Sequence, residues 1–190
     1  MFKSSKKYWL IIVVAIALMA WSVHRSLATP LAISNWNFDD VVIANGTSGP
    51  IGNIQGWVGT GVYGAWNPGS AAFNNSTVFD ESTAGNVAWV NSGYISQILP
   101  YNLTTGHLYT LSVDVGYQAS CTMCTSFVYT IELLAGGISL NTYSGTGKVG
   151  EWETASLTYS ALADGGPLEI RLYTIGKRTH FDNVSLIDSP

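Results

Sequence analysis

From residue 30 onward, apolar and polar positions alternate. Tyr109, Leu111, Val113 and Val115 share one side of their segment, and Thr110, Ser112 and Asp114 share the other. Leu168, Ile170 and Leu172 alternate in the same way with Glu169, Arg171 and Tyr173. A period of two is that of a strand with one buried face. Residues 127–135, 152–159, 87–90 and 95–99 read as strands on the same grounds. On this pattern Glu132 and Glu169 occupy solvent faces. Turn signals stand between the segments: Gly136-Gly137, residues 144–147, residues 164–167 and Gly176-Lys177. No segment after residue 30 keeps helical periodicity. The expectation is an all-β, antiparallel β-sandwich or barrel.

Two places break the pattern. Residues 43–85 are rich in Gly, Asn, Ser and Pro. That is long for a structureless loop, so two short strands are expected around residues 54–57 and 62–66. Near residue 182, Phe181 stands three positions before Val184 where alternation demands two or four. The phase slips across Asp182-Asn183, as at a β-bulge.

Residues 1–28 have the three parts of a secretory signal. Lys3, Lys6 and Lys7 form a basic end, Tyr8 to Trp21 an apolar run, and Ser26-Leu27-Ala28 a small-residue cleavage site. The run is shorter than the roughly 20 residues of a comfortable membrane span. An uncleaved N-terminal membrane anchor is the alternative. Either way residues 29–190 form the exported domain, at the cell surface or secreted, with membrane contact only through residues 1–28.

Composition narrows the class. The 190 residues are 47% hydrophobic and only 11% charged. Beyond residue 28 there are four basic and twelve acidic residues, a net charge of −8. Nucleic-acid binding needs a basic surface, so no nucleic-acid partner is expected.

The candidate chemistry is sparse. Cys121 and Cys124 form the only cysteine pair. In an exported chain a short loop disulfide is the favoured reading, over metal or redox use and over free thiols. Trp36, Trp57 and Trp89 read as core aromatics. Tyr63 and Trp66, flanked by Gly and Pro, read as a surface platform on which a sugar ring would stack, with Asn67 and Asn91 binding hydroxyls. No Gly-x-Ser-x-Gly elbow is present, and His107 and His180 are the only histidines beyond the leader. A glycosidase would need two carboxylates flanking a cleft, and Glu132, Glu151, Glu153 and Glu169 are the candidates. No enzyme is expected.

Several segments carry a resemblance: NWNFDD at 35–40, IQGW at 54–57, GAWNP at 64–68, GNVAWVNSGYISQIL at 85–99, YTLSVDVG at 109–116, YTIELLAGG at 129–137 and HFDNVSL at 180–186. Together they resemble a family of secreted bacterial jelly-roll domains found in PEP-CTERM-type exported proteins. That family is similar to galactose-binding-like carbohydrate-binding modules. The resemblance implies a jelly roll over residues 32–188. It implies a non-catalytic module for a polysaccharide or cell-surface glycan, or else a self-associating structural protein; a small secreted hydrolase ranks third. It also implies a structural calcium ion joining the first and last strands through Asp39 and Asp182, with Asp40 as a substitute. Calcium takes six to eight oxygens, so carbonyls and water would complete that shell.

Overall fold

The computed structural model describes residues 27–69, 72–73, 85–120, 126–176 and 178–190. The leader up to residue 26 and the Cys121–Cys124 pair lie outside the described residues. Among the described residues nine strands follow in order: β1 Thr29–Pro30, β2 Val58–Trp66, β3 Val87–Asn102, β4 Leu108–Gly116, β5 Ser126–Ala135, β6 Ile138–Lys148, β7 Trp152–Ser160, β8 Pro167–Thr174 and β9 Thr179–Ser189. All pairings are antiparallel. The spatial order is β6-β5-β8-β3-β9-β4-β7, with β2 on β3 and β1 on β9. This is the all-β antiparallel architecture that the alternation predicts, in the jelly-roll form that the resemblance implies.

Strand β3 organises the molecule. Its residues 88–90 pair with β9, and residues 93–102 pair with β8. It therefore belongs to two layers, β6-β5-β8-β3-β2 and β1-β9-β4-β7. Between the layers lies one apolar core. Ile95, Ile131, Leu133, Ile170 and Leu172 come from the first layer and Leu111, Val113, Val115, Phe181 and Leu186 from the second, all 0–1% exposed. Burial of each such side chain stabilises by about 1.5–3 kcal/mol.

The expected bulge is present. Ser112 pairs with Ser185 and Asp114 with Asp182, so two steps on β4 match three on β9. Asn183 takes the extra position with φ 49°. Other expectations need correction. Residues 87–90 and 95–99 form one strand, because Ser92 and Gly93 carry positive φ through the middle of β3 opposite Gly61 instead of ending it. Residues 144–147 are not a turn but lie within β6. A Cβ on Gly145 would come 2.3 Å from the Tyr129 ring, and one on Gly147 would come 2.2 Å from the Phe127 ring. These glycines leave room for aromatic rings. Trp36 is 49% exposed, whereas Trp57 is in the core. Trp89 is buried, but on the side of β3 away from the central core.

Candidate functional site

The outer face of the first layer carries an unusual row structure. Register places Thr60, Tyr94, Tyr173, Thr130 and Ser144 side by side across β2, β3, β8, β5 and β6. The neighbouring row is Val58, Ser96, Arg171, Glu132 and Thr142. Glu169 flanks Arg171 two residues earlier on β8. A sheet face open to water would expose such charges. Here Glu132 and Glu169 are each only 8% exposed, so the solvent-face reading of these two is corrected. The Arg171 side chain lies against both.

Arg171 ties the face together. Its Nε and Nη2 both donate to Glu169 Oε1, at 3.1 and 2.8 Å, and its Nη1 donates to the Tyr173 hydroxyl at 3.1 Å. Burial lowers its pKa, but the bonds to Tyr173 and Glu169 outweigh this and hold it above the usual guanidinium range. The guanidinium lies 4.9 Å from the Tyr94 ring centre and 6.0 Å from that of Tyr173. Those rings are themselves 5.2 Å apart. Glu132 is less well served. Its Oε2 lies 3.6 Å from Arg171 Nη1, is fully buried, and has no hydrogen-bond partner. A buried carboxylate oxygen with spare accepting capacity is costly unless something meets it. Two partly exposed tyrosines, a fixed guanidinium and an under-bonded carboxylate can bind a flat molecule and move a proton.

The outer side of the second layer holds a separate aromatic patch. Register aligns Gly64, Trp89, His180, Gly116 and Trp152 across β2, β3, β9, β4 and β7. The indoles lie over the glycines: a Cβ on Gly64 would meet the Trp89 ring at 3.0 Å, and one on Gly116 the Trp152 ring at 2.4 Å. His180 is fully buried among Trp66, Phe73 and Tyr117. Desolvation, helped by the charge of Arg178, pushes it down to about 3. It is neutral at neutral pH. A groove of about 510 Å³, lined by residues such as Leu31, Trp36, Tyr101 and Val184, lies elsewhere, with no carboxylate, histidine or lysine among its described lining residues.

The expected sugar platform does not assemble. Tyr63 packs on the central core, whereas Trp66 packs with Phe73, Val87 and Trp152 on the opposite side of the sheet. The odd spacing between residues 63 and 66 forces this split. Asn67 is occupied by a bond from Nδ2 to the Ile43 carbonyl, 2.9 Å. Asn91 is exposed on β3 opposite Val62. The four residues make no common site.

The calcium expectation fares differently. Asp39 and Asp182 are brought into electrostatic contact, with Asp114 opposite Asp182 in register. Burial pushes Asp182 up to about 8, against its bond from the Asn183 amide, and Asp39 and Asp114 push the same way. Much of the remaining donor capacity is taken. Asp39 accepts from Asn37 and the Asn86 amide, and Asp114 accepts from Thr154 and Asn183. Asp40 stands exposed, its amide bonded to Asn35 Oδ1. Among the described residues no three His, Cys, Asp or Glu converge as a metal-binding group.

Glu169, Arg171 and Tyr173 carry a faint sequence signal. Glu169-x-Arg171-x-Tyr173 places three functional side chains on one strand face. Only the placement of β8 between β3 and β5 adds Tyr94 and Glu132, and sequence alternation does not contain strand order.

No curated protein matches the chain. Solved structures do. A Stig cyclase, Fisc, from Fischerella sp. TAU, in complex with (3Z)-3-(1-methyl-2-pyrrolidinylidene)-3H-indole, is 23% identical with TM-score 0.70, over 86% of this chain and 99% of that one. A cyclase from Fischerella sp. TAU in complex with 4-(1H-indol-3-yl)butan-2-one is 22% identical with TM-score 0.70, over 85% and 98%. The CBM22-1–GH10 portion of Clostridium thermocellum xylanase 10B, complexed with xylohexaose, is 16% identical with TM-score 0.52, over 83% of this chain and 28% of that one. At these identities the likeness shows the fold, which cyclases and carbohydrate-binding modules share.

The family match separates them. The HpiC1-like model, described as HpiC1 cyclase, covers residues 29–187. It overturns the resemblance to a PEP-CTERM-type or galactose-binding-like binding family, and with it the non-enzymatic, glycan-binding reading. The segments that carried that resemblance encode strands and turns common to the fold, so they could not choose between its functions. The polysaccharide partner, which that reading implied, falls with it. The chain belongs to the HpiC1-like cyclase family.

Proposed function

We propose that the chain is a cyclase that closes a ring in a small, largely apolar, aromatic molecule laid on the outer face around Arg171. Family membership supports the reaction class. The observation that carries the site is the buried Glu132 Oε2 without a hydrogen-bond partner, beside Arg171, whose guanidinium lies against the Tyr94 and Tyr173 rings.

Ring closure in an unsaturated molecule needs an electrophilic carbon, a surface that tolerates positive charge, and an acceptor for the proton finally lost. Glu132 serves the proton steps, giving a proton to the substrate when protonated and taking one when ionised. The faces of Tyr94 and Tyr173 favour developing positive charge. Glu169 holds Arg171 in place, and Arg171 fixes the Tyr173 hydroxyl. No metal enters this scheme. Calcium at Asp39 and Asp182 stays a separate proposal about stability, supported by the electrostatic contact of the two carboxylates. Export to the cell surface, based on residues 1–28, likewise stays a proposal.

The test is product formation. Purified protein is incubated with indoles carrying an unsaturated side chain, and cyclised isomers of equal mass are resolved by chromatography and mass spectrometry. Wild type should form them, and Glu132→Gln should be slower by about 10²–10⁴-fold, the range for loss of a general acid or base. Undiminished cyclisation by Glu132→Gln would remove the site from the reaction.

A further inference from the structure

One end of the sandwich gathers exposed apolar side chains. Leu27 is 83% exposed, Leu162 88% and Ile138 73%. They come from the residue before β1's neighbour Ala28, from the loop between β7 and β8, and from the first position of β6. Register and turn bonds bring these distant segments to the same end. Thr29 pairs with Asp188, and Leu108 pairs with both Ser160 and Ser189, so β1 and β4 start where β7 and β9 finish. The Ala161 amide donates to the His107 carbonyl at 2.9 Å, and the Gly106 amide donates to the Ala161 carbonyl at 2.8 Å. The Gly136 amide donates to the Pro167 carbonyl at 2.9 Å, which holds the β5–β6 turn against the β7–β8 loop. The acids described here are engaged: Asp164 accepts from the Thr105 amide and hydroxyl, and Asp188 bonds to His107.

We propose that this end faces a membrane, and that Leu27, Ile138 and Leu162 enter the interface of a lipid bilayer. The chain outside the described fold chooses the occupant. The apolar run of the leader stops at Trp21, six residues before Leu27. At about 3.5 Å per residue that link spans at most about 20 Å, so a leader held in a bilayer brings the domain to the surface with this end first. The opposite end stands away by the length of β8, whose eight residues rise about 26 Å. The form of the patch agrees. Single tips projecting from separate loops suit a fluid interface that closes around each one, whereas a protein partner must supply a matched pocket for each. Among the described residues, Lys148 and Arg178 lie at the opposite end and Arg171 lies within β8. Contact therefore comes from apolar burial and not from attraction to anionic headgroups. The inference rests on the leader reading of residues 1–28 and is independent of the cyclase reading.

The experiment places the full chain in phosphatidylcholine vesicles that carry a diazirine on some acyl chains. Illumination crosslinks lipid to whatever touches the acyl region, and mass spectrometry maps the adducts. Adducts should appear on Leu27, Ile138 and Leu162 as well as on the leader. Ile175, 69% exposed at the opposite end, is the control. It should carry about tenfold fewer adducts than Ile138 or Leu162, because only side chains at the bilayer boundary reach acyl chains. Adding anionic phosphatidylglycerol should leave the loop adducts within about twofold, since no basic cluster draws this end down. Ile138→Asp with Leu162→Asp should remove most adducts on the two loops and leave the melting temperature and the leader adducts unchanged. Adducts confined to the leader, labelling of Ile175 equal to that of Ile138, or loop labelling unaffected by the two aspartates would overturn the inference. Leader-only adducts together with a vesicle-free dimer that the two aspartates abolish would assign the surface to a second copy instead. Absence of adducts on every segment would overturn the leader reading along with it.

Discussion

Arg171 on β8 faces Glu132 on β5 across a direct register pair, yet its two shortest carboxylate contacts, 2.8 and 3.1 Å, are both to Glu169 on its own strand. One guanidinium thus serves two carboxylates unequally. The arrangement holds Arg171 still and leaves Glu132 responsive.

Removing the guanidinium strands both acids. Arg171→Met should destabilise the fold by about 3 kcal/mol, the scale for breaking a buried ion pair by deleting one partner. The partial exposure of Arg171 places it toward the lower end of that scale. Adding Glu169→Gln to Arg171→Met should recover part of the loss. Urea unfolding checks both, and an Arg171→Met midpoint equal to wild type would show that the network contributes little.

The acid–base behaviour of β9 gives a second prediction. The folded pKa of Asp182, pushed up to about 8, lies above its ordinary value of 3.8. Between these values the folded state holds the extra proton, so stability falls as pH rises. His180 is pushed down from 6.5 to about 3, so its contribution is present above 6.5 and lost as pH falls toward 3. The two slopes oppose each other where they overlap, and from pH 6.5 to 8 Asp182 acts without His180. The wild-type melting temperature should decline over that interval, and Asp182→Asn should flatten the curve. Calcium bound at Asp39 and Asp182 would keep Asp182 ionised, raise the melting temperature and remove the decline, with chelator restoring it. Identical melts with calcium and chelator would count against the ion.

Gly116 supplies a steric prediction. Its added Cβ would sit 2.4 Å from the Trp152 ring, and its φ is not in the left-handed region. Gly116→Ala should therefore cost about 1–3 kcal/mol through displaced packing alone. Trp152→Leu in the same chain should make the alanine nearly neutral. A double-mutant cycle on thermal melts measures this coupling.

Much of the fold was legible because alternation reports which side chains face the core. Tyr109 to Val115 and Leu168 to Tyr173 show their buried faces directly. Strand β6 was not legible, since Gly145 and Gly147 look like turn residues until Tyr129 and Phe127 are seen lying over them. The site was harder still. Glu169, Arg171 and Tyr173 are visible as one outward face, but their burial depends on β3 and β5 flanking β8. Tyr63 and Trp66 failed as a platform for a local reason: three residues apart on a strand, they point to opposite sides. Reaction class was not legible at all, because the motifs that resembled binding modules describe a scaffold with several uses.

The position of the last two strands has a kinetic consequence. β8 fills the gap between β5 and β3, and β9 fills the gap between β3 and β4. Until residues 167–189 have left the ribosome, β3, β4 and β5 each present an open hydrogen-bonding edge. Neither layer closes before these two strands insert, so the domain folds late and through contacts distant in sequence, which is slow. The nascent chain is at its most association-prone just before synthesis of this segment.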